Sequence, residues 1–233
     1  MPDDKPTRST FSPRIIALAA IAGVLAGAAA IYATGGFDGN TAGGPASPDG
    51  VEVAASPANA VCAAKADAAA AVMAQATGQV AAMSPSDPAR SVSHLAFNDP
   101  SGKPITIAAM SGKVVLMNLW ATWCAPCRAE MPELDELQRE KGGEKFEVVA
   151  VNVDTGDDAK PKKFLAETGI HSLGYYRDNT LKLFEALKQD GLALGLPVTL
   201  LIDADGCLLG GMNGPAVWST DDAKKLIDAA TGG

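Results

Sequence analysis

The chain contains few of the residues that bind metals and nucleic acids. Its 233 residues include two histidines and four cysteines, and only 5% are aromatic. His94 and His171 are far apart and lack the closely spaced partners of a zinc site, so the sequence predicts neither a metal centre nor another cofactor. Acidic residues outnumber basic ones, 27 to 19, and the formal net charge is −8. This excess of negative charge argues against nucleic-acid binding.

The amino-terminal segment has the pattern of a membrane anchor. Residues 1–14 carry three basic side chains, and residues 15–34 are uncharged, with an apolar stretch from Ile15 to Tyr32. As a helix this stretch would extend about 27 Å, near the lower limit for a bilayer. Basic residues on the short side favour a cytoplasmic start, so we predict a single-pass inner-membrane anchor with the rest periplasmic. The alternative is a signal peptide cleaved after Ala28 to Ala30.

Two segments of unusual composition follow the anchor. Residues 35–57 consist mainly of Gly, Pro, Ala, Ser, Asn and Asp, and are predicted to form a flexible linker. Residues 58–90 are predicted to form an alanine-rich helical extension, with one helix from about Ala60 to Gln75. Because such a helix offers mostly methyl groups, we expect it to pack weakly and to need a further attachment to the rest of the protein.

Residues 91–233 alternate between strand and helix patterns. Strands are predicted at about 95–97, 104–106, 114–119, 146–151, 174–177, 199–202 and 207–211. Helices are predicted at about 125–141, 159–168, 180–188 and 220–230. The order β-α-β-α implies a parallel strand pair, so the sequence predicts an α/β domain with a central mixed sheet flanked by helices.

Two cysteines, Cys124 and Cys127, lie where a predicted buried strand passes into a helix. Unpaired backbone N–H groups at a helix start favour a thiolate at Cys124, and Arg128 adds a positive charge nearby. Two intervening residues allow a reducible disulfide, whereas the alternative, half of a zinc site, lacks its other ligands. We therefore predict a two-electron redox pair, with Trp120 in the core and Trp123 beside the thiols.

The segment from Gly112 to Cys127, followed by Glu130, Met131 and Pro132, resembles the TlpA/ResA-like branch of the thioredoxin superfamily. The similarity covers about Ser91 to Ala230, and the anchor, the alanine-rich helix and the extra cysteines are most similar to the TlpA members. It implies a thioredoxin-like fold and a membrane-anchored periplasmic enzyme that reduces cysteine pairs of exported proteins. It also implies a membrane thiol reductase of the DsbD/CcdA type as electron donor. The implied clients are an oxidised copper chaperone, a cytochrome oxidase subunit or apocytochrome c.

The same resemblance assigns roles to individual residues. Cys124 is implied as the attacking thiol and Cys127 as the resolving one, with Pro197 as a cis-proline that faces the disulfide; an ordinary trans loop proline is the alternative. Where thioredoxins proper carry a buried aspartate, this chain has Asn118. Glu130, at the position of the family's acidic residue, is therefore the candidate for proton transfer, and a solvated surface glutamate is the alternative.

The remaining cysteines, Cys62 and Cys207, have no nearby partner in the sequence. Free thiols are unusual outside the cytoplasm, so we predict a structural disulfide between them that holds the alanine-rich helix to the domain. The alternative is a second redox pair that relays electrons.

Two other functions use the same residues. A periplasmic oxidase or isomerase would have the same motif and a higher reduction potential, which the sequence does not determine. A copper chaperone of this superfamily would place three residues between its cysteines and add a histidine, whereas this motif has two residues and no histidine.

Overall fold

The computed structural model describes residues 56–232. The predicted cytoplasmic start (1–14), the predicted anchor (15–34) and nearly all of the predicted linker (35–57) lie outside these residues. Among residues 56–232, no helix combines the length and the apolar character needed to cross a membrane.

Six helices and eight strands make up the described part of the chain. The helices are α1 (Pro57–Ala64), α2 (Ala66–Met73), α3 (Ala125–Lys141), α4 (Ala159–Thr168), α5 (Lys182–Gln189) and α6 (Asp221–Thr231). The strands are β1 (Ser84–Pro85), β2 (Ala96–Asn98), β3 (Pro104–Thr106), β4 (Val114–Trp120), β5 (Phe146–Asn152), β6 (Tyr176–Arg177), β7 (Val198–Ile202) and β8 (Leu208–Asn213). Short 3₁₀ helices occupy Gly78–Val80 and Ile107–Met110.

All eight strands belong to one sheet, in the order β1-β8-β7-β4-β5-β6-β2-β3. Strand β4 pairs parallel with β5 and antiparallel with β7, so the predicted mixed sheet is confirmed. Every residue of β4 is buried, in agreement with its continuous apolar sequence. Because β7 runs opposite to β4, the end of β4 and the start of β7 lie at the same edge of the sheet.

The alanine-rich extension differs from the prediction of a single helix. The chain leaves helical geometry at Lys65 (φ −103°, ψ 7°), which separates α1 from α2. The side chain of Lys65 contacts Asp205, and its Nζ lies 3.0 Å from Asp203 Oδ2. These contacts draw the backbone of the extension towards the turn between β7 and β8.

The extension also packs more firmly than its alanine content indicates. The side chains of Met73, Val80 and Met83 are buried in the main core. A Cβ at Gly210 would lie 2.7 Å from the backbone oxygen of Ser84 as well as 2.6 Å from Met73 Cε, so β8 needs a glycine where the extension crosses it. Strand β1, which the sequence did not predict, pairs with β8 and extends the sheet by one strand.

Candidate active site

Cys124 and Cys127 form a disulfide at the start of α3, with their Cα atoms 5.3 Å apart. Cys124 is the N-cap residue of the helix, and its Sγ accepts a hydrogen bond of 3.2 Å from the backbone N–H of Cys127. Cys127 is fully buried, whereas Cys124 retains 5% of its surface. The sulfur that another protein can reach is therefore that of Cys124, which also receives the electrostatic support of the helix start.

A buried carboxylate holds the loop that leads into this disulfide. Asp154 accepts hydrogen bonds of 2.8 Å from both the backbone N–H and the hydroxyl of Thr122, and one of 2.7 Å from Asn152 Nδ2. From the sequence, Asp154 belongs to an acidic loop of the kind usually found on the surface, and its role was not predicted. Its position two residues after the end of β5 was the available signal, because β4 and β5 are parallel and therefore end at the same edge of the sheet.

The Leu196–Pro197 peptide bond is cis, as the resemblance to the TlpA/ResA-like branch implies. Val198, the next residue, pairs with Leu119 of β4, so Pro197 lies at the edge from which the chain continues to Cys124. The carbonyl of Pro197 accepts a hydrogen bond of 2.9 Å from the backbone N–H of Gly214. Its catalytic role remains a prediction.

Glu130 is buried, so the alternative of a solvated surface glutamate is wrong. It follows Cys127 by three residues, nearly one helical turn, and its side chain points into the core at 2% exposure. Three donors reach its carboxyl group, as follows. Asn118 Nδ2 lies 2.8 Å from Oε1, while the backbone N–H of Ala216 and Trp218 Nε1 lie 3.2 and 3.3 Å from Oε2.

The environment of Glu130 changes its acidity. Loss of solvation on burial raises the pKa from 4.5 to about 7, although the hydrogen bonds from Asn118, Ala216 and Trp218 act in the opposite direction. A carboxyl group that titrates near neutral pH is suited to accept and return a proton. The sequence did not predict Trp218 as a partner, although a buried tryptophan normally needs an acceptor for its N–H.

Trp120 is buried, as predicted, whereas Trp123 is 68% exposed. The placement of Trp123 beside the thiols stays a prediction. Leu194 and Val217 are exposed to 83% and 39%, and with Trp123 they make up three of the four exposed large apolar side chains in the described part of the chain. They lie in the loops after β4, before β7 and after β8. These loops meet at one edge of the sheet, so we call Trp123, Leu194 and Val217 the apolar rim.

A groove of about 580 Å³ lies beside Trp123. It is lined by Trp123 and by polar and small residues of two loops and of the start of α4, among them Thr122, Asp154, Asp157 and Lys160. Within residues 56–232, no group of three or more His, Cys, Asp or Glu side chains is arranged to hold a metal ion.

Cys62 and Cys207 form the second disulfide of the structure, with their Cα atoms 5.3 Å apart. Cys207 directly precedes β8, whereas the active-site edge is reached at the other end of β8, near Asn213. A strand of six residues spans roughly 20 Å. The two disulfides therefore lie at opposite edges of the sheet, and both cysteines of the second are at least 96% buried.

Comparison with known proteins gives a consistent assignment. The Redoxin family matches residues 84–227. ResA of Bacillus thuringiensis, a thiol-disulfide oxidoreductase, is 32% identical over 125 residues, which is 50% of this chain and 64% of ResA. The thiol:disulfide interchange protein DsbE of Pseudomonas fluorescens is 36% identical over 148 residues, which is 58% of this chain and 76% of DsbE.

The structural comparison agrees with the sequence comparison. A crystal structure of a DsbE-type thiol:disulfide interchange protein from Chlorobium tepidum superimposes with a TM-score of 0.52 at 27% identity, and covers 60% of this chain and 95% of that protein. The aligned part of the chain covers 64% of the length of ResA, which is less than two thirds, and 76% of the length of DsbE. It belongs to the Redoxin family, within the ResA/TlpA-like branch of the thioredoxin superfamily.

Proposed function

We propose that this protein is a thiol:disulfide oxidoreductase that reduces cysteine pairs in client proteins. The observation that carries this proposal is the Cys124–Cys127 disulfide at the start of α3, followed within one turn by the buried carboxyl group of Glu130. The relatives are thiol:disulfide oxidoreductases and interchange proteins by name, which supports the same chemistry.

The reaction starts from the reduced pair. The Cys124 thiolate attacks one sulfur of a client disulfide, which forms a mixed disulfide and releases one client thiolate. Cys127 then loses its proton and attacks Cys124 Sγ, which closes the Cys124–Cys127 disulfide and releases the second client thiolate. Two electrons pass to the client, whose thiolates take up two protons. A dithiol donor restores the reduced pair by the reverse exchange.

Glu130 is the proton acceptor for the second step. Cys127 is fully buried, so solvent water has little access to its thiol. The carboxyl group of Glu130 lies on the same helix within one turn, and its pKa of about 7 allows it to take a proton and release it near neutral pH.

The apolar rim supplies a surface for the client. Single exposed apolar side chains are common on protein surfaces, but grouped ones mark contact sites for partners. Trp123, Leu194 and Val217 lie in loops at the same edge of the sheet as Cys124, so a client segment that presents its cysteine there would cover them.

We further propose that the protein works in the periplasm, tethered by residues 15–34. The charge pattern of residues 1–34 and the buried Cys62–Cys207 disulfide support an oxidising compartment. The resemblance to TlpA-type proteins supports a DsbD/CcdA-type donor. It also supports clients that mature cytochrome oxidase, namely a copper chaperone or a copper-site subunit, or apocytochrome c.

An oxidase or isomerase is the second candidate, because the same two cysteines run the exchange in either direction. The reduction potential of the Cys124–Cys127 pair separates the two functions. Equilibration of the full-length protein in glutathione buffers should give a value near that of thioredoxin, about −270 mV, for a reductase. A value near that of DsbA, about −120 mV, would instead indicate an oxidase.

Active-site variants test the mechanism. Cys124→Ser should abolish reduction of a disulfide-bonded peptide, while Cys127→Ser should accumulate mixed disulfides, from which clients can be identified by mass spectrometry. The double variant Cys62→Ser, Cys207→Ser is the control and should retain activity. Near wild-type reduction by Cys124→Ser would refute the proposed function.

A further inference from the structure

The side-chain amide of Asn118 lies between Glu130 and Thr199 in the core. Its Nδ2 donates to Glu130 Oε1 at 2.8 Å and to Thr199 Oγ1 at 3.0 Å. Both Asn118 and Thr199 are fully buried. The other end of the amide, Asn118 Oδ1, is buried and has no hydrogen-bond partner among the described residues. The amide therefore meets hydrogen-bonding side chains at one end only.

A half turn of the Asn118 amide would let this side chain bond Glu130 in either proton state. In the observed orientation, two N–H groups point to acceptors, which suits an ionised Glu130. A protonated Glu130 carries an O–H at Oε1 and needs an acceptor there instead. If the amide turns by about 180°, Oδ1 takes this position and accepts from both Glu130 and the Thr199 hydroxyl, which is able to donate as well as accept. Each orientation makes two hydrogen bonds and leaves one end of the amide unpaired.

We propose that Asn118 is a positioning residue whose side-chain amide reverses its orientation whenever Glu130 gains or loses its proton, while Thr199 reverses its hydroxyl. This inference rests on the proposed function, which gives Glu130 a proton to carry. The proton itself moves between Cys127 and Glu130, and the amide only changes which of its ends faces the carboxyl group. Asn118 therefore supports both proton states of Glu130 instead of favouring one.

The other groups around Glu130 favour its ionised form. Trp218 Nε1 and the backbone N–H of Ala216 donate and do not accept, so they stabilise the ionised carboxylate more strongly than the protonated carboxyl group. Strands β4 and β7 and the segment 214–220 contain no titratable side chain. The charged groups of α3 near Glu130 are Arg128 and Glu133, while Cys124 and Cys127 are joined in a disulfide and titrate only when it is reduced.

Paired variants distinguish a turning amide from a fixed one. In the full-length oxidised protein in detergent micelles, the midpoint of Glu130 is followed by the NMR signal of its carboxyl carbon. Trp218→Phe removes a donor that stabilises the ionised form more than the protonated one, so the midpoint should rise by about one pH unit. Asn118→Leu removes a group that serves both forms, so the midpoint should move by less than about half a pH unit.

A fixed amide gives the opposite order. The bond from Asn118 is shorter than that from Trp218, 2.8 against 3.3 Å, so a donor locked in the observed orientation would make Asn118→Leu the larger upward shift. That result would overturn the proposal. If Asn118→Leu does not fold, the wild-type protein still decides the question through its nuclear Overhauser effects.

The direct measurement is the nuclear Overhauser effect between the side-chain amide protons of Asn118 and the protons of the Thr199 side chain. It should be strong above the Glu130 midpoint and lost below it, and it should not depend on pH in Glu130→Gln. An effect that persists through the wild-type titration would also overturn the proposal. Neither measurement uses enzyme activity, so failure of the proposed function in the Cys124→Ser assay is distinguishable from failure of the turning amide.

Discussion

Replacement of Glu130 by glutamine should change how the stability of the protein depends on pH. The pKa of Glu130 rises from 4.5 to about 7 on folding, because burial disfavours the carboxylate. At about 1.4 kcal/mol for each factor of ten in proton affinity, this corresponds to about 3 kcal/mol. Because the folded state binds the proton more tightly than the unfolded state, wild-type stability should fall as pH rises from about 4.5 to 7.

Glutamine carries no charge at any pH, so Glu130→Gln should lack this loss. The difference in free energy of unfolding between Glu130→Gln and wild type should therefore shift in favour of the variant by about 3 kcal/mol between pH 4.5 and 8. The absolute stability of the variant is a separate matter, because an amide does not accept all three hydrogen bonds that reach Glu130.

Urea unfolding of the oxidised proteins at a series of pH values measures this difference. Glu144→Gln is a matched control, because it makes the same chemical change at an exposed position. The other acidic groups contribute equally to the pH dependence of unfolding in a variant and in wild type, so their contributions cancel in the difference between the two. Parallel stability curves for Glu130→Gln and wild type from pH 4.5 to 8 would show that the carboxyl group is not held in a desolvated site.

Three further outcomes follow from the structure. The double variant Cys62→Ser, Cys207→Ser should lose about 2 to 5 kcal/mol in denaturant melts while the potential of the active-site pair stays the same; a normal melt with lost reductase activity would make the second pair a relay. Trp123→Ala should raise KM for a protein client about tenfold with kcat unchanged, and an unchanged KM would remove the tryptophan from the client surface. Asp154→Ala should destabilise the fold by about 1 to 3 kcal/mol, because it leaves the backbone N–H of Thr122 without an acceptor, and wild-type stability in urea would contradict this.

The fold of residues 91–233 could be predicted because its elements have strong local patterns. The continuous apolar run of β4 and the helical spacing of α3 are visible without any tertiary information, and the structure has α3 at the predicted residues, 125–141. The position of Cys124 at the helix start follows from the same boundary. The disulfide between Cys62 and Cys207 could be predicted from the shortage of other partners.

The parts that sequence reasoning missed depend on contacts between distant segments. Strand β1 has two residues and contains a proline, so no local pattern marks it, and only its pairing with β8 defines it. The break at Lys65 also lacks a local signal, because its ion-pair partner Asp203 lies 138 residues away. Burial of Asp154 depends on the parallel ends of β4 and β5, which bring its carboxylate under Thr122.

Glu130 shows how such distant contacts create the chemistry of the site. Its position one turn after Cys127 is local information, but its acidity depends on Asn118 from β4 and on Trp218 from the segment after β8. The same segment carries Val217 of the apolar rim to the surface. The loop after β8 thus contacts the proposed proton acceptor through Trp218 and contributes Val217, the preceding residue, to the proposed client surface. Contact with a client and proton transfer would therefore take place on the two sides of a single loop.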